Sequence, residues 1–398
     1  MRIGIDYTAA VRQRAGIGRY TRGLVGALLT LPSPHHYTLF AATGGLRSAI
    51  SNLQGLQSAT CDLRTVPLSD EWLARLWHRL RLPIPIEAIV GRVDLFYSPD
   101  FILPPILPDV RTLLTVHDLS FLHYPDHFVP KLVRYLSRAV PRSIARARRV
   151  LADSEATRTD LIQFLGVPPE SVEVLYSGVD PRFRPEPEPG ERERLQSRYG
   201  VGERSYVLSV GTLQPRKNYV RLIRAFARLR LAPLCPETLV IAGGRGWLYQ
   251  EIYAEAEKHP DRVRILGFVD EADLPALYRE AALFVFPSFY EGFGLPVLEA
   301  MACGVPVVCS NASSLPEVAG AAALLVDPHD EEGLTEAMER ALADEGLREE
   351  MVARGLEQAA RFTWERAARQ LLATLDAVAV GGHPVSNDVS ELRSDGEG

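Results

Sequence analysis

Short apolar runs alternate along the chain with segments in which apolar residues recur every three or four positions. The short runs predict buried β-strands, and the segments with the longer spacing predict helices that bury one face. Strands that alternate with helices form parallel sheets with helices on both faces, so the pattern predicts an α/β protein. The alternation falls into two series, which predicts two Rossmann-like domains.

The predicted strands divide between these two series. In the first series they are Arg2–Tyr7, Tyr37–Ala42, Asp94–Ser98, Thr112–Val116, Val150–Asp153 and Val172–Tyr176. In the second series they are Tyr206–Val210, Thr238–Ala242, Val263–Leu266, Leu283–Pro287, Val305–Cys309 and Ala323–Val326. No run approaches the ~20 apolar residues that a membrane-spanning helix needs. The N-terminal segment is typical of a buried strand rather than of a signal peptide.

A stretch rich in proline and charge interrupts the pattern between Asp180 and Arg204, which is typical of a linker. The polar and acidic end of the chain has the composition of a disordered tail. The parts that we predict are a first domain at 1–180, a linker at 181–204, a second domain at 205–362, a last helix at 363–381 and a tail at 382–398.

The composition is that of a soluble globular protein, with 46% apolar and 24% charged residues in a chain of 398. The net charge of −6 is uneven, because residues 1–180 carry 20 Lys and Arg against 16 Asp and Glu while the rest carries 24 against 34. This balance disfavours nucleic acid as a partner. The four cysteines fit neither a metal site nor the disulfide framework of a secreted protein, so we expect a cytoplasmic protein.

Lysine is rare in this chain, since it occurs at three positions whereas the other 41 basic residues are arginine. Lys217 directly follows Arg216, after the first predicted strand of the second domain. Ligands bind α/β sheets at the carboxyl ends of the strands, and two cations there suit a pyrophosphate leaving group. The alternative is an exposed basic turn.

Two carboxylates eight positions apart, Glu291 and Glu299, bracket a Gly-Phe-Gly turn. A helix is predicted to begin just after this turn, since Pro296 is tolerated in a first helical turn. The backbone N–H groups that would surround the helix N-terminus are those of Gly292, Phe293, Gly294 and Leu295. A helix N-terminus attracts anions, so this arrangement suits a nucleoside diphosphate sugar, which has hydroxyls on both sides of its phosphates. The alternative is a solvated Glu291 and a surface Glu299.

Two further candidates follow strands of the first domain. Gly16 and Gly18 form a glycine-rich turn between the first strand and a helix, where backbone can approach a ligand. The spacing departs from the dinucleotide fingerprint and no acidic residue closes the next strand, so NAD binding is disfavoured. His117 stands at the carboxyl end of another strand and is a candidate active-site residue. The alternative is a core histidine bonded to Asp118 or to backbone.

Six basic residues recur at spacings of three or four and form a basic stripe on a predicted helix, with Pro141 predicted to kink that helix or to start a new one. No acidic residue interrupts residues 131–149. The stripe predicts either a solvated face or contact with anionic lipid or an anionic acceptor. Its members are Lys131, Arg134, Arg138, Arg142, Arg146 and Arg149.

Together these motifs resemble the retaining GT-B glycosyltransferases of family 4, over nearly the whole chain. The most specific part is the motif from Glu291 to Glu299 with its continuation Met301–Val308. The other stretches that are similar to this family are Gly16–Tyr20, His117-Asp118, Ala152–Glu155 and Pro215–Asn218. They are most similar to bacterial mannosyltransferase-type members that assemble surface polysaccharide.

The resemblance implies two domains that face a cleft, the first on the acceptor side and the second binding the donor, with the last helix crossing back to the first domain. It also implies that Glu299 binds the donor ribose and Glu291 a hydroxyl of the transferred sugar. The amides of Phe293, Gly294 and Leu295 are implied to bind sugar and phosphate, and Arg216 and Lys217 to bind the diphosphate. His117 is implied to lie beside the donor sugar, and Gly16 and Gly18 beside the phosphates. One departure is Thr212, where many members have arginine, and Arg216 is the candidate for that role.

The resulting expectation is a retaining hexosyltransferase that moves a sugar from a nucleoside diphosphate donor to a hydroxyl of a glycan or lipid-linked acceptor. GDP-mannose is favoured as the donor, with UDP-sugars next. The chain contains no Asp-x-Asp triplet, so Arg216 and Lys217 are expected to replace a metal ion, and no cofactor is expected. The alternatives are a sugar-nucleotide epimerase, a phosphorylase with a pyridoxal cofactor and a catalytically silent binding subunit. We expect a cytoplasmic protein that contacts the inner face of the membrane through the basic stripe.

Overall fold

A computed structural model describes residues 1–13, 15–45, 58–69, 72–73, 75–79, 82, 84–203, 205–229, 236 and 238–380. The contacts between residues divide the chain into two compact units. Unit 1 comprises Met1–Leu119, Arg134–Tyr176 and the chain from Glu365, and unit 2 comprises Ser120–Val133 and Ser177–Trp364. The predicted tail at 382–398 lies outside the described residues.

Unit 1 is built on a parallel sheet. Its strands are β1 (Arg2–Asp6), β2 (His36–Ala42), β3 (Cys61–Val66), β4 (Leu95–Ser98), β5 (Arg111–Val116), β6 (Arg149–Ala152) and β7 (Val172–Val174). They lie in the order β3-β2-β1-β4-β5-β6-β7. On either side of β1, Ile3 lies opposite Tyr37 in β2 and opposite Leu95 in β4. The predicted α/β fold is confirmed for this unit.

The edge strand β3 is not among the predicted strands. Only Cys61 at its start is buried, and exposed or half-buried positions follow. An edge strand pairs on one side only, with Tyr37 to Ala42 of β2 in this case, and it does not need a continuous apolar run. The polar sequence Cys-Asp-Leu-Arg-Thr-Val therefore gives a weak strand signal.

Unit 2 is built on a second parallel sheet. Its strands are β8 (Tyr206–Val210), β9 (Leu239–Ala242), β10 (Val263–Gly267), β11 (Ala281–Phe286), β12 (Val307–Ser310) and β13 (Ala323–Val326). They lie in the order β10-β9-β8-β11-β12-β13, and every strand of the second predicted series is found. The order places the carboxyl ends of β8 and β11 side by side, because these two central strands pair with each other.

Helices connect the strands in both units. They are α1 (Thr8–Arg12), α2 (Gly16–Thr30), α3 (Glu87–Val90), α4 (Ser120–His123), α5 (Pro130–Ile144), α6 (Glu155–Leu165), α7 (Glu191–Tyr199), α8 (Tyr219–Arg228), α9 (Gln250–Ala256), α10 (Leu274–Arg279), α11 (Leu295–Ala302), α12 (Leu315–Ala319), α13 (Glu331–Ala343), α14 (Glu345–Ala359) and α15 (Trp364–Val380). In unit 2, Phe226 of α8 and Met338 of α13 are fully buried in the core cluster that also includes Leu283 of β11.

The stretch interpreted as a linker at 181–204 contains helix α7, which is part of unit 2. Glu191 at its start is buried and forms an ion pair with Arg279, whose side chain is 7% exposed. Arg194 and Arg198 bind the buried carboxylate of Asp273 at 2.7 and 2.8 Å. The prolines of this stretch all lie before Gly190. The composition typical of a linker therefore covers only the residues that precede α7.

Although the later change of unit, at Ser177, lies close to residue 180, the predicted first domain at 1–180 differs from unit 1 because Ser120–Val133 belongs to unit 2. Aromatic contacts hold this segment there. The ring of His123 lies 4.7 Å from that of Tyr290, and the ring of His127 lies 5.2 Å from that of Phe289. Trp247 donates a hydrogen bond to the carbonyl of His127 at 2.6 Å. Such long-range contacts leave no local signal in a strand and helix pattern.

The predicted basic stripe falls only partly on one helix. Helix α5 continues through Pro141 as one element, so no new helix starts there. Arg146 lies beyond its end and donates a hydrogen bond to the carbonyl of Leu103, and Arg149 lies in β6 and pairs with Glu173. The four members that α5 carries on its exposed surface are Lys131, Arg134, Arg138 and Arg142. No helix in the described part of the chain is long and apolar enough to cross a membrane.

The last helix, α15, lies in unit 1 from Glu365 onward. Gln370 donates a hydrogen bond to the carboxylate of Glu173 at 3.0 Å, and the hydroxyl of Thr374 donates to the same oxygen. His35 pairs with Asp376 at 2.8 Å. These polar contacts fix the helix against the first sheet, alongside the buried side chain of Leu371.

Candidate active site

The segment that follows β8 places two cations at the carboxyl end of a central strand. Pro215–Lys217 forms a short 3₁₀ turn, and Asn218 has a left-handed backbone with φ of 60° before α8 begins. The Asn218 amide donates hydrogen bonds to the carbonyls of Pro287 and Pro328 at 3.0 and 2.7 Å. This anchors the turn to the loop that follows β11.

The loop after β11 leads into α11, which begins at Leu295 with Pro296 in its first turn, as predicted. Gly294 has φ of 109°, a backbone conformation that side chains rarely adopt. A Cβ atom at this position would also lie 2.6 Å from Leu315. The glycine is therefore required by the turn itself. Binding of an anion by the amides of Gly292, Phe293, Gly294 and Leu295 stays a prediction.

The two segments bring Arg216, Lys217 and Glu291 together. The Lys217 ammonium lies 2.7 Å from Oε1 of Glu291, and the Arg216 guanidinium lies 3.1 Å from Oε2. The three side chains are 9 to 11% exposed, so this is neither an exposed basic turn nor a solvated carboxylate. Arg216 also donates to the carbonyl of Tyr290. The Lys217 ammonium lies 4.6 Å from the centre of the Phe286 ring.

The charges of this cluster fix the protonation of Glu291. Burial by itself raises the pKa of a carboxyl, but the attraction of Arg216 and Lys217 outweighs it and lowers the pKa of Glu291 to about 2. The carboxylate is therefore ionised at neutral pH. Two cations and one anion leave an excess positive charge, which suits a phosphate ligand.

Glu299 is buried inside α11, about one turn from its start. The hydroxyl of Tyr278, which lies in α10, donates a hydrogen bond to Oε2 of Glu299 at 2.9 Å. The Tyr278 ring packs between Phe183 and Phe284, at 5.7 and 5.3 Å between ring centres. The alternative of a surface position for Glu299 is excluded. Its role toward a donor ribose stays a prediction.

His117 lies in unit 1, at the end of β5, and is buried. Its Nδ1 lies 2.7 Å from Oδ2 of Asp153 and its Nε2 lies 3.1 Å from the carbonyl of Pro99. Burial alone lowers the pKa of a histidine, but the charge and hydrogen bond of Asp153 outweigh it and raise the pKa of His117 to about 9. With an acceptor at each ring nitrogen, the imidazole is held in its protonated form.

The carboxylate partner of His117 is thus Asp153 and not Asp118, whereas the bond to backbone that the alternative also allowed is present, to the carbonyl of Pro99. The sequence offered a signal for this, because Asp153 directly follows β6 and β6 pairs with β5. Side chains at the carboxyl ends of neighbouring parallel strands lie close together. Tyr278 is another residue at the site that sequence analysis missed, and nothing in its local sequence distinguishes it from a core tyrosine.

Gly16 and Gly18 lie at the start of α2 in unit 1. A Cβ atom at Gly18 would lie 1.9 Å from the carbonyl oxygen of Gln13, so the glycine allows close backbone packing. A Cβ atom at Gly16 would meet nothing within 4 Å. Tyr20, one turn further on, packs edge-on against the ring of His117 at 4.9 Å between ring centres. Contact of either glycine with a phosphate stays a prediction.

Comparison with known proteins places the chain in one family. Residues 191–358 match the family described as glycosyl transferases group 1, and residues 14–183 match glycosyltransferase family 4. The O-antigen chain mannosyltransferase B of Escherichia coli is 36% identical over 367 residues, which are 90% of this chain and 94% of that protein. The serotype-specific mannosyltransferase WbdA of Escherichia coli is 35% identical over 266 residues, which are 65% of this chain and 32% of that protein.

Solved structures share the fold. Sucrose-phosphate synthase from Thermosynechococcus elongatus has a TM-score of 0.73 at 21% identity, covering 96% of this chain and 100% of that one. WaaG, a glycosyltransferase involved in lipopolysaccharide biosynthesis, has a TM-score of 0.69 at 18% identity, covering 96% and 100%. These likenesses confirm the GT-B fold class. Because a relative matches over nearly its full length and both halves match family descriptions, the chain belongs to the group 1, family 4 glycosyltransferases and is a hexosyltransferase.

Proposed function

We propose that this enzyme is a retaining glycosyltransferase that moves mannose from GDP-mannose to a hydroxyl of a glycan or lipid-linked acceptor in surface polysaccharide assembly. The choice of mannose rests on the similarity to the O-antigen chain mannosyltransferase B of Escherichia coli. The observation that carries the mechanism is the buried cluster of Arg216, Lys217 and Glu291 at the carboxyl ends of β8 and β11.

In this mechanism the donor diphosphate binds to Arg216 and Lys217, whose charges stabilise it as a leaving group. Glu291 accepts a hydrogen bond from a hydroxyl of the transferred sugar, and Glu299 binds the ribose. The bond between the anomeric carbon and the phosphate oxygen breaks first and gives an oxocarbenium-like sugar. The acceptor hydroxyl then attacks on the same face, and its proton passes to an oxygen of the departing GDP. The anomeric configuration is retained.

The same cluster supports catalysis without a metal ion. Two side-chain cations, already held within 3.1 Å of one carboxylate, supply the charge that a divalent ion supplies in other transferases. No cofactor takes part, and GDP-mannose is a co-substrate. His117, held as a cation with both ring nitrogens bonded, has no free nitrogen to accept a proton, so its proposed part beside the donor sugar is that of a fixed positive charge.

The acceptor side of the proposal concerns the membrane. Lys131, Arg134, Arg138 and Arg142 are exposed on α5, and a basic helix face attracts anionic lipid. Binding of this basic face to the cytoplasmic surface of the membrane would therefore bring the enzyme to a lipid-linked acceptor. Sedimentation with anionic vesicles at low and high salt tests this contact, and the charge-reversed variant Arg138→Glu is expected to lose most of the bound fraction. Equal sedimentation with neutral vesicles would contradict it.

The proposal is tested by calorimetric titration of the protein with GDP, UDP and ADP, each in EDTA and in magnesium. Binding of GDP in EDTA with a clear preference over the other two supports the donor and the metal-free cluster. A preference for UDP would replace the mannose donor with a UDP-sugar. Binding that requires magnesium would contradict the role of Arg216 and Lys217.

A second assay tests sugar transfer against two of the alternatives raised by the sequence. Incubation of the donor without an acceptor is expected to leave the sugar nucleotide unchanged. Conversion to another sugar nucleotide would identify an epimerase. Tight donor binding without transfer to any extract of lipid-linked glycan would identify a silent binding subunit.

A further inference from the structure

Two consecutive serines hold the backbone of Glu291 from both sides. The N–H of Glu291 donates a hydrogen bond to Oγ of Ser313 at 2.8 Å. The hydroxyl oxygen of Ser314 lies 2.9 Å from the carbonyl of Glu291 and 2.8 Å from the carbonyl of Phe293, and these two acceptors share its single proton. Ser314 is fully buried. We call Ser313 and Ser314 the serine clamp.

Ser313 holds its position against backbone strain. Its φ is 52°, in the left-handed region that is strained for a residue other than glycine. A glycine would adopt this backbone without strain. We therefore attribute the presence of a serine at this position to the hydrogen bonds of its hydroxyl. The Ser313 hydroxyl donates to the carbonyl of Ala312 at 2.8 Å, so its oxygen is left to accept from Glu291.

The clamp is part of a wider contact between two loops. Ser310, at the end of β12, donates a hydrogen bond to the carbonyl of Ser288 at 2.6 Å. The segment from Ser310 to Ser314 thereby supports the loop from Ser288 to Phe293 at several backbone positions. At Glu291 both backbone polar groups are bound, whereas its carboxylate is bound by Arg216 and Lys217.

We infer that Ser313 and Ser314 are positioning residues for sugar transfer, which hold Glu291 where its carboxylate meets both the cations and the transferred sugar. This inference rests on the proposed function, in which Glu291 contacts the sugar. Because Arg216 and Lys217 bind both oxygens of the Glu291 carboxylate, a shift of the Glu291 backbone changes the geometry at which the carboxylate meets the cations and the sugar. Misplacement by about 1 Å can cost 100-fold in rate.

Ser313→Gly is the decisive variant, because it removes the hydroxyl and also removes the strain. We expect its melting temperature to equal or exceed that of the wild type, whereas kcat for transfer falls about tenfold to 100-fold. The KM for donor is expected to change less than threefold, since Arg216 and Lys217 remain. Ser314→Ala is expected to lower kcat in the same way. Ser197→Ala, which loses a hydroxyl bond to the Arg194 carbonyl away from the cluster, is the matched control and keeps full turnover.

A double variant separates positioning from general damage. In the Glu291→Gln background, Ser313→Gly is expected to cause no further loss of kcat, because the group that the clamp positions is already absent. Wild-type kcat in Ser313→Gly, or an equal additional loss in the double variant, would overturn the inference and leave the proposed function standing. A wild-type protein that transfers no sugar from any donor would overturn both.

Discussion

The Lys217 ammonium lies 2.7 Å from Oε1 of Glu291, and each side chain is 9% exposed. The contact joins residues 74 positions apart, which lie at the carboxyl ends of the paired strands β8 and β11. Arg216 completes the cluster on the other carboxylate oxygen. Glu291 thus holds in place the two cations that the proposed mechanism assigns to the donor phosphates, and the same mechanism assigns Glu291 to a hydroxyl of the transferred sugar.

Glu291→Gln is expected to lower kcat for transfer by about 100-fold or more, because the amide no longer balances the two cations or accepts the sugar hydroxyl with a full charge. The free energy of unfolding is expected to fall by about 3 kcal/mol, since Arg216 and Lys217 are left as buried, unbalanced charges. Steady-state kinetics and urea unfolding measure the two effects. Glu350→Gln removes an exposed pair with Arg354 and is the control, expected to change neither. Near-wild-type turnover of Glu291→Gln would remove this residue from the mechanism.

The pair of His117 and Asp153 predicts a pH-dependent stability. The pKa of His117 is raised from its usual 6.5 to about 9, so its stabilising contribution is complete below pH 6.5 and is lost as the pH rises through 9. That loss is on the order of 3 kcal/mol in the free energy of unfolding. His117→Gln is expected to lack this decline when urea unfolding is measured between pH 6 and 10. His36→Gln, from an exposed pair with Asp62, is expected to keep it. Parallel pH profiles for wild type and His117→Gln would contradict the charged pair.

The two glycines at the start of α2 are expected to differ in what they do. Gly18→Ala forces a Cβ atom against the Gln13 carbonyl and is expected to lower the melting temperature even without ligand. Gly16→Ala meets no atom within 4 Å and is expected to leave the melting temperature within about 2 °C of the wild type. Any loss of GDP affinity in Gly16→Ala therefore reports contact with the ligand. A stable Gly18→Ala protein would show that close packing does not explain this glycine.

Local sequence predicts those parts of the molecule that local chemistry determines. Pro296 and the glycines before it define the start of α11, and continuous apolar runs define the central strands. The polar edge strand β3 lacks such signals, because a partner strand stabilises it. Helix α7 carries them, with acidic residues in its first turn and Gly200 after its end, but the proline-rich composition that precedes it favoured a linker.

The residues of the candidate site likewise fall into those that the sequence identifies and those that only the structure reveals. Sequence motifs identify Glu291, Glu299, Lys217 and His117 as chemistry-bearing residues, but their partners depend on contacts between distant positions. Asp153 is 36 residues from His117, and Tyr278 is 21 residues from Glu299. Ser313 stands out only once its backbone is known, since a serine with φ of 52° has no signature in the sequence.

Tyr278→Phe is expected to separate donor binding from stability. The phenylalanine keeps the packing against Phe183 and Phe284 and removes only the hydroxyl that donates to Glu299. Loss of one donor to a buried carboxylate is expected to lower the free energy of unfolding by about 2 kcal/mol. If Glu299 binds the ribose, its carboxylate also becomes less fixed, and the affinity for GDP is expected to fall by about tenfold.

Tyr206→Phe is the matched control for this variant. Its hydroxyl is equally buried but donates to the carbonyl of Leu277 at 2.7 Å, so it positions no carboxylate. We expect Tyr206→Phe to lower the free energy of unfolding by about 1 kcal/mol and to bind GDP as the wild type does. Calorimetric titration of both variants measures the difference. Equal GDP affinities would mean that the bond from Tyr278 stabilises the fold without orienting Glu299 toward the donor.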